Sequence, residues 1–127
     1  MKTANYRQLV ERYIEAYNQF DVEGMLVPLH KDVEFRNVAN GEVNLATSGK
    51  ASFRQQAEQA TQYFSQREQR VTEWKVDNDQ VEATIDYSAI AALDFPNGLK
   101  KGDSLRLSGQ SIFRFADGQI IFIEDRS

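Results

Sequence analysis

Apolar side chains recur every three or four positions at the start of the chain, and charged residues such as Glu11 and Glu15 fill the intervals. The apolar set is Tyr6, Leu9, Val10, Tyr13, Ile14, Tyr17 and Phe20. This spacing is typical of an amphipathic α-helix, so we expect a helix over about 3–20 that covers an apolar surface. Asp21 is a suitable N-cap for a second, shorter helix, which Pro28 limits.

A strand and a third helix are expected next. The alternating segment 33–38 predicts a strand, which is followed by a turn and a polar loop containing Asn40-Gly41. Ser48 is a suitable cap for a helix that we expect to run to about Gln66. The apolar face of that helix would consist of Phe53, Ala57, Ala60 and Phe64.

The rest of the chain alternates between apolar and polar residues. Segments 81–91 and 105–115 each place small and aromatic side chains on one face and polar side chains on the other. Turn signals separate the runs: Asn78-Asp79, Pro96-Asn97-Gly98 and Asp117-Gly118. The pattern predicts an α+β fold, with about three N-terminal helices on one face of a curved antiparallel sheet. Small residues beside large rings on the inward face indicate an apolar pocket.

Composition narrows the possible functions. A length of 127 residues suits one domain, 1–127. Cysteine is absent and His30 is the single histidine, so we expect no disulfide, no transition-metal site and no cofactor. The formal net charge is −4, and the basic residues do not cluster beyond Lys100-Lys101, which argues against nucleic-acid binding. The amino terminus lacks a secretory pattern and no apolar run could span a membrane, so we expect a cytoplasmic protein.

Three stretches of the sequence resemble the ketosteroid isomerases and the wider SnoaL-like group of the nuclear transport factor 2-like superfamily. They are LVERYIEAYNQFDVEGM at 9–25, the following LHKDVEFRN, and FRFADGQII near the end. The resemblance follows the order of elements over almost the whole chain. It implies a cone-shaped, cystatin-like fold around a pocket, and a homodimer.

The resemblance also suggests site residues. In the isomerases a tyrosine of the first helix and a protonated aspartic acid bind the developing oxyanion, and a second aspartate moves the proton. By position these roles fall on Tyr13, Ser111 and Asn37. Because an amide cannot act as a base near neutral pH, standard ketosteroid isomerase activity is not expected. The last strand offers a replacement carboxylate, either Glu124 or Asp125 depending on which of them faces inward.

Two functions stay open at this point. The first is a small-molecule-binding protein. If it is an enzyme, we expect an isomerase, lyase or cyclase that acts on a hydrophobic carbonyl compound. Its catalytic candidates are Tyr13, Asn37, Ser111, Glu124 and Asp125. Its expected contacts with a small hydrophobic or polar-aromatic ligand are Tyr17, Phe35, Phe53, Trp74, Tyr87 and Phe113.

The alternative is a non-catalytic module that binds a ligand, or a protein partner through the outer sheet face. A nuclear-transport-like adaptor is a third possibility. The dimer itself is expected to form through that outer face, at Ser104, Arg106, Ser108, Gln110, Ile112 and Arg114.

Overall fold

The computed structural model describes residues 3–77, 79–96 and 98–127, and within them it contains three helices and six strands. The helices are α1 (Thr3–Asn18), α2 (Val22–Leu26) and α3 (Lys50–Ala60). The strands are β1 (Leu29–Ala39), β2 (Glu42–Ser48), β3 (Phe64–Val76), β4 (Gln80–Ala91), β5 (Ser104–Ala116) and β6 (Gln119–Arg126). The expected α+β class is confirmed.

One curved, unclosed sheet contains all six strands, in the order β2-β1-β6-β5-β4-β3. Strands β3 to β6 form the expected antiparallel meander. The sheet is not antiparallel throughout, because β1 runs parallel to β6. This parallel pair brings the end of the chain into the middle of the sheet, beside the strand that follows α2.

The first two helices form where the sequence predicts them. Val10, Tyr13 and Ile14 of α1 are buried against the sheet, as the apolar face requires. The side chain of Asp21 caps α2 by accepting a hydrogen bond from the Gly24 amide at 3.0 Å. Both helices therefore follow directly from local sequence signals.

The region between residues 40 and 66 differs from expectation. The polar loop after Asn40-Gly41 is strand β2, and this pair makes a tight hairpin turn with φ of 55° and 80°. Helix α3 begins after Gly49, which has φ 89°, and ends at Ala60, so the predicted cap at Ser48 and the extension to Gln66 are wrong. Pairing with β4 takes Phe64 into β3 instead. Of the predicted turn residues, Asn78 and Asn97 lie outside the described residues.

The core lies between the helices and the inner face of the sheet. Its fully buried side chains are Val10, Leu29, Val33, Val81, Phe113, Ile120 and Ile123. The apolar face predicted for 81–91 is on this side. In the part of the chain that the structure describes, none of the helices has the length and apolar character needed to cross a membrane.

Candidate functional site

A cavity of about 170 Å³ lies on the inner side of the sheet, where α1 meets the ends of β1 and β6. Residues of α1, β1, β4, β5 and β6 line it together with Ser127: Tyr17, Asn37, Ile85, Tyr87, Leu107, Ser108, Gly109, Gln110, Ser111, Asp125, Arg126 and Ser127. Five of the residues singled out from the sequence are among them, namely Tyr17, Asn37, Tyr87, Ser111 and Asp125.

The absence of a side chain at Gly109 shapes this wall. A Cβ atom there would collide with the carbonyl oxygen of Arg126, which is backbone and cannot move aside easily. Glycine thus lets the end of β6 lie close against β5. The close approach places Arg126 and Ser127 beside Asp125 at the cavity.

The register of three neighbouring strands brings Asn37, Ser111 and Asp125 side by side. Asp125 on β6 is paired with Asn37 on β1 and with Ser111 on β5. The Ser111 hydroxyl donates to Oδ1 of Asp125 at 2.6 Å. The Asn37 amide donates to Oδ1 of Asn44 at 2.9 Å, so part of its hydrogen-bonding capacity serves the β1-β2 hairpin.

Withdrawal of the Asp125 carboxyl from bulk solvent raises its pKa from 3.8 to about 6. The hydrogen bond from Ser111 acts in the opposite direction, because it favours the ionised form, and the negative charge of Glu124 raises the pKa further. A carboxyl group with this pKa exchanges protons readily near neutral pH, which is the property required of a general acid or base.

Glu124 points away from the cavity, to the outer face of the sheet. Its carboxylate accepts hydrogen bonds from Nε of Arg36 at 2.7 Å and from Nε of Arg126. Burial by itself would raise the pKa of Glu124, but Arg126 and Arg36 together hold it below its ordinary value. Asp125 is therefore the member of the adjacent pair that reaches the cavity.

Four of the aromatic candidates pack together away from the lining of the cavity. Tyr13 lies with its ring 5.9 Å from that of Phe113 and 6.2 Å from that of Phe53, and Phe35 packs 5.8 Å from Phe53. Burial, and then the charge of Asp125, raise the pKa of Tyr13 well above its ordinary value. Within the described residues the Tyr13 hydroxyl has no hydrogen-bond partner. A catalytic role for Tyr13 stays a prediction.

Trp74 is also separate from the cavity lining. It is half-buried at the other end of α1, where the Arg7 guanidinium lies 4.6 Å from its ring. By contrast, Tyr17 and Tyr87 both line the cavity, and the Tyr17 hydroxyl donates to the Tyr87 hydroxyl at 3.0 Å. Of the expected ligand contacts, these two tyrosines are the ones that the fold brings to Asp125.

Sequence reasoning missed Arg67, which is 5% exposed on the inner side of β3. Its Nε donates to the carbonyl oxygen of Tyr17 at 2.9 Å, and the guanidinium lies 3.7 Å from the centre of the Tyr17 ring. The sequence analysis assigned residues 64–66 to a helix, so the start of β3 at Phe64 was not recognised. In the structure a bulge lies between Phe64 and Gln66, and beyond it Arg67 and Gln69 face the inner side of the sheet.

A metal-dependent site finds no support in the described ranges, which contain no cluster of three or more His, Asp or Glu side chains able to hold an ion. His30 is buried at the start of β1. Its Nε2 is hydrogen-bonded to Asp117 at 3.0 Å, and its Nδ1 accepts from the Asp32 amide. Its contacts join β1 to the β5-β6 turn.

A larger depression, of about 430 Å³, involves the outer side of β3, β4 and β5. Its carboxylates belong to Glu68 and Asp86, both exposed, and Asp86 is paired with Arg70 at 3.1 Å. Neither has the withdrawn environment of Asp125. The smaller inner cavity is therefore the better candidate site.

Similar solved structures share this fold. A candidate polyketide cyclase from Xanthomonas campestris pv. campestris is 21% identical, with coverage of 98% of this chain and 91% of that chain and a TM-score of 0.84. An LEH-like epoxide hydrolase from M. tuberculosis is 15% identical, with coverage of 98% and 83% and a TM-score of 0.78. An NTF2-like protein of unknown function from Burkholderia pseudomallei is 19% identical, with coverage of 95% and 88% and a TM-score of 0.75.

At these sequence identities the solved structures establish only the fold. No curated protein sequence matches the chain. The family assignment comes from a sequence model. The model of the SnoaL-like domain matches residues 10–123, nearly the whole chain. This chain therefore belongs to the SnoaL-like family.

Proposed function

We propose that this protein binds a small carbonyl compound in the inner cavity and catalyses proton transfer next to the carbonyl group. Asp125 would act as the general base and acid. The observation that carries the proposal is the position of its carboxyl group in the cavity, hydrogen-bonded by Ser111 and with a pKa of about 6. No other aspartate or glutamate side chain lines the cavity among the described residues.

The proton transfer needs one residue. The Asp125 carboxylate takes a proton from the carbon next to the carbonyl, and the electrons of that C–H bond move to give an enolate oxygen. The resulting carboxylic acid then returns the proton to the same or a conjugated carbon, which regenerates the carboxylate. Isomerase, lyase and cyclase reactions all use such a step, so the proposal covers this reaction class rather than one member of it.

The size of the cavity favours a small substrate. Pockets for drug-sized ligands usually measure about 300–1,000 Å³, and this one measures about 170 Å³. A compound of one or two rings suits that volume better than a steroid. The resemblance also implies that Asn37 falls at the position of the isomerases' proton carrier, so absence of steroid isomerase activity stays our prediction.

A non-catalytic ligand-binding module was the alternative from the sequence. Its main support was the lack of an inward acid, and the position of Asp125 at the cavity removes that support. We further propose that residues 1–127 act as one domain and that the protein works in the cytoplasm with a small molecule as its partner.

Hydrogen–deuterium exchange of β-tetralone tests the proposal. We expect the unmodified protein to accelerate exchange of the protons next to the carbonyl in D2O, followed by proton NMR. Asp125→Asn should lower that rate by about 10²–10⁴-fold, because it removes the base while keeping an acceptor for Ser111.

Asp86→Asn is the matched control, since it removes an exposed aspartate from the outer face of the sheet and should leave the rate unchanged. Exchange by Asp125→Asn as fast as by the unmodified protein, or no acceleration by either, would contradict the proposal.

A further inference from the structure

The hydroxyl pair of Tyr17 and Tyr87 leaves one proton free for a ligand. Tyr17 belongs to the last turn of α1 and Tyr87 to β4, and both line the cavity. The Tyr17 hydroxyl donates to the Tyr87 hydroxyl at 3.0 Å, and the Tyr87 proton has no acceptor within the described residues. Gln69 also hydrogen-bonds the Tyr17 hydroxyl, which lowers the pKa of Tyr17. Tyr87 is therefore the member of the pair that offers a phenolic donor to the cavity.

Arg67 places a positive charge directly behind this pair. Its side chain is buried, and its guanidinium carbon lies 3.7 Å from the ring centre of Tyr17 and 4.5 Å from that of Phe20. No carboxylate forms an ion pair with it in the described part of the chain. A buried charge without a counter-ion is costly unless something else stabilises it.

The backbone contact of Arg67 explains only part of its placement. Its Nε caps the end of α1 by donating to the Tyr17 carbonyl oxygen at 2.9 Å. A neutral donor would serve that purpose equally well, and Nη2 of Arg67 is buried without a partner. Burial raises the pKa of Tyr17 and of Tyr87, and the positive charge of Arg67 lowers the pKa of both tyrosines. The guanidinium charge is thus felt at both hydroxyl groups.

The cavity therefore has two chemically different walls. Asp125 and Ser111 on β6 and β5 form the wall that exchanges a proton. Tyr17 and Tyr87, with Arg67 behind them, form a wall that donates a hydrogen bond under a positive potential. This division suits a ligand whose oxygen becomes negative while a neighbouring carbon loses its proton.

We propose that Tyr87 and Tyr17 bind the negatively charged oxygen of an enolate or phenolate ligand, and that Arg67 is a positioning residue that holds this pair and supplies its positive charge. The enolate form of the ligand rests on the proposed function. The anion subsite does not, because it can be tested by binding alone. The subsite assigns oxygen binding to residues that the sequence suggested only as contact surface.

Binding of p-nitrophenolate compared with p-nitrotoluene tests the subsite. The two compounds have the same size and shape, and at alkaline pH only the first carries a charged oxygen. The measurement is made in full-length Asp125→Asn protein, so that the ionised Asp125 carboxylate does not repel the anion. We expect p-nitrophenolate to bind more tightly than p-nitrotoluene.

Added tyrosine substitutions should then remove the preference. Tyr87→Phe should weaken p-nitrophenolate binding by about 10- to 100-fold, because a hydrogen bond to a charged group is lost, and should leave p-nitrotoluene unaffected. Tyr17→Phe should act in the same direction. The matched control is Tyr6→Phe on the same helix, whose ring stacks on Phe115 outside the cavity lining.

Arg67→Met should reduce the preference for the anion, and Arg67→Lys should restore much of it by keeping the charge. If Arg67→Met does not fold, the lysine and tyrosine variants still decide. Equal preference for the anion in all variants would overturn the subsite and leave the role of Asp125 intact. Absence of binding of either compound to the Asp125→Asn protein and to the unmodified protein would contradict both the subsite and the cavity as a ligand site.

Discussion

Glu124 and Asp125 are adjacent and chemically similar, but their side chains leave β6 on opposite faces. On the outer face Arg36 and Arg126 hold the Glu124 carboxylate ionised, with a lowered pKa. On the inner face Asp125 accepts a hydrogen bond from a serine hydroxyl and forms no ion pair within the described residues, and its pKa rises to about 6. The environment on each face, more than the residue type, decides which carboxyl group can exchange a proton near neutral pH.

The raised pKa of Asp125 has a consequence for stability. A proton binds more tightly to the folded chain than to the unfolded chain, so the folded state loses stability as the pH rises from 3.8 through about 6. The amide introduced by Asp125→Asn carries no charge at any pH. We expect this variant to be more stable than the unmodified protein at neutral pH, on the order of 3 kcal/mol, since each pKa unit corresponds to about 1.4 kcal/mol.

Denaturant unfolding at several pH values measures this difference. The gain should shrink as the pH falls through the same interval and vanish below about pH 4. Asp86→Asn serves again as the control and should show no such gain, because Asp86 is exposed and paired with Arg70. An Asp125→Asn protein no more stable than the unmodified one at neutral pH would show that ionisation of Asp125 does not destabilise the fold.

At the scale of elements, the sequence predicted best where one signal dominates. Helix α1 and the three hairpins from β3 to β6 follow from strong periodicity and clear turn residues. Strand β2 was missed because it is short and mostly exposed, and the alternation of Val43 and Leu45 with polar residues is too brief to stand out after the Asn40-Gly41 turn. The end of α3 was placed too late because Phe64 fits the helical stripe as well as a strand, and pairing with Ala91 decides between them.

The candidate site was predictable to a similar extent. Parity along β5 placed Ser111 inward, but the phase of β6 could not be read from its own residues, because Ile120, Ile121, Phe122 and Ile123 make both faces apolar. Pairing with β1 and β5 fixes that phase and brings Asp125 to the cavity. The resemblance assigned the catalytic role to Tyr13 and left Tyr17 as a ligand contact. Both tyrosines lie on the apolar face of α1, and the sequence does not show that Tyr13 packs against Phe53 and Phe113 while Tyr17 lines the cavity.

At the scale of the whole molecule, the outer face of the sheet suits association of two copies. Exposed charges of both signs lie on it, including the pair Arg70 and Asp86, and Arg106, which forms no ion pair among the described residues. A two-fold interface can match such opposite charges between two copies.

We therefore predict a homodimer that Arg106→Glu weakens, measured by sedimentation equilibrium at micromolar concentration. Arg12→Glu makes the same change of charge on the exposed face of α1 and should leave the dimer intact. Monomer alone for the unmodified protein, or equal weakening by both substitutions, would argue against this interface.

Proton transfer by Asp125 in the inner cavity is tested most directly by the pH profile of β-tetralone exchange. Because the carboxylate is the active base, the protein-catalysed rate should rise with pH and level off, with a midpoint near the Asp125 pKa of about 6. A profile with a midpoint near the ordinary value of 3.8, or a rate that follows hydroxide concentration without levelling off, would contradict the account.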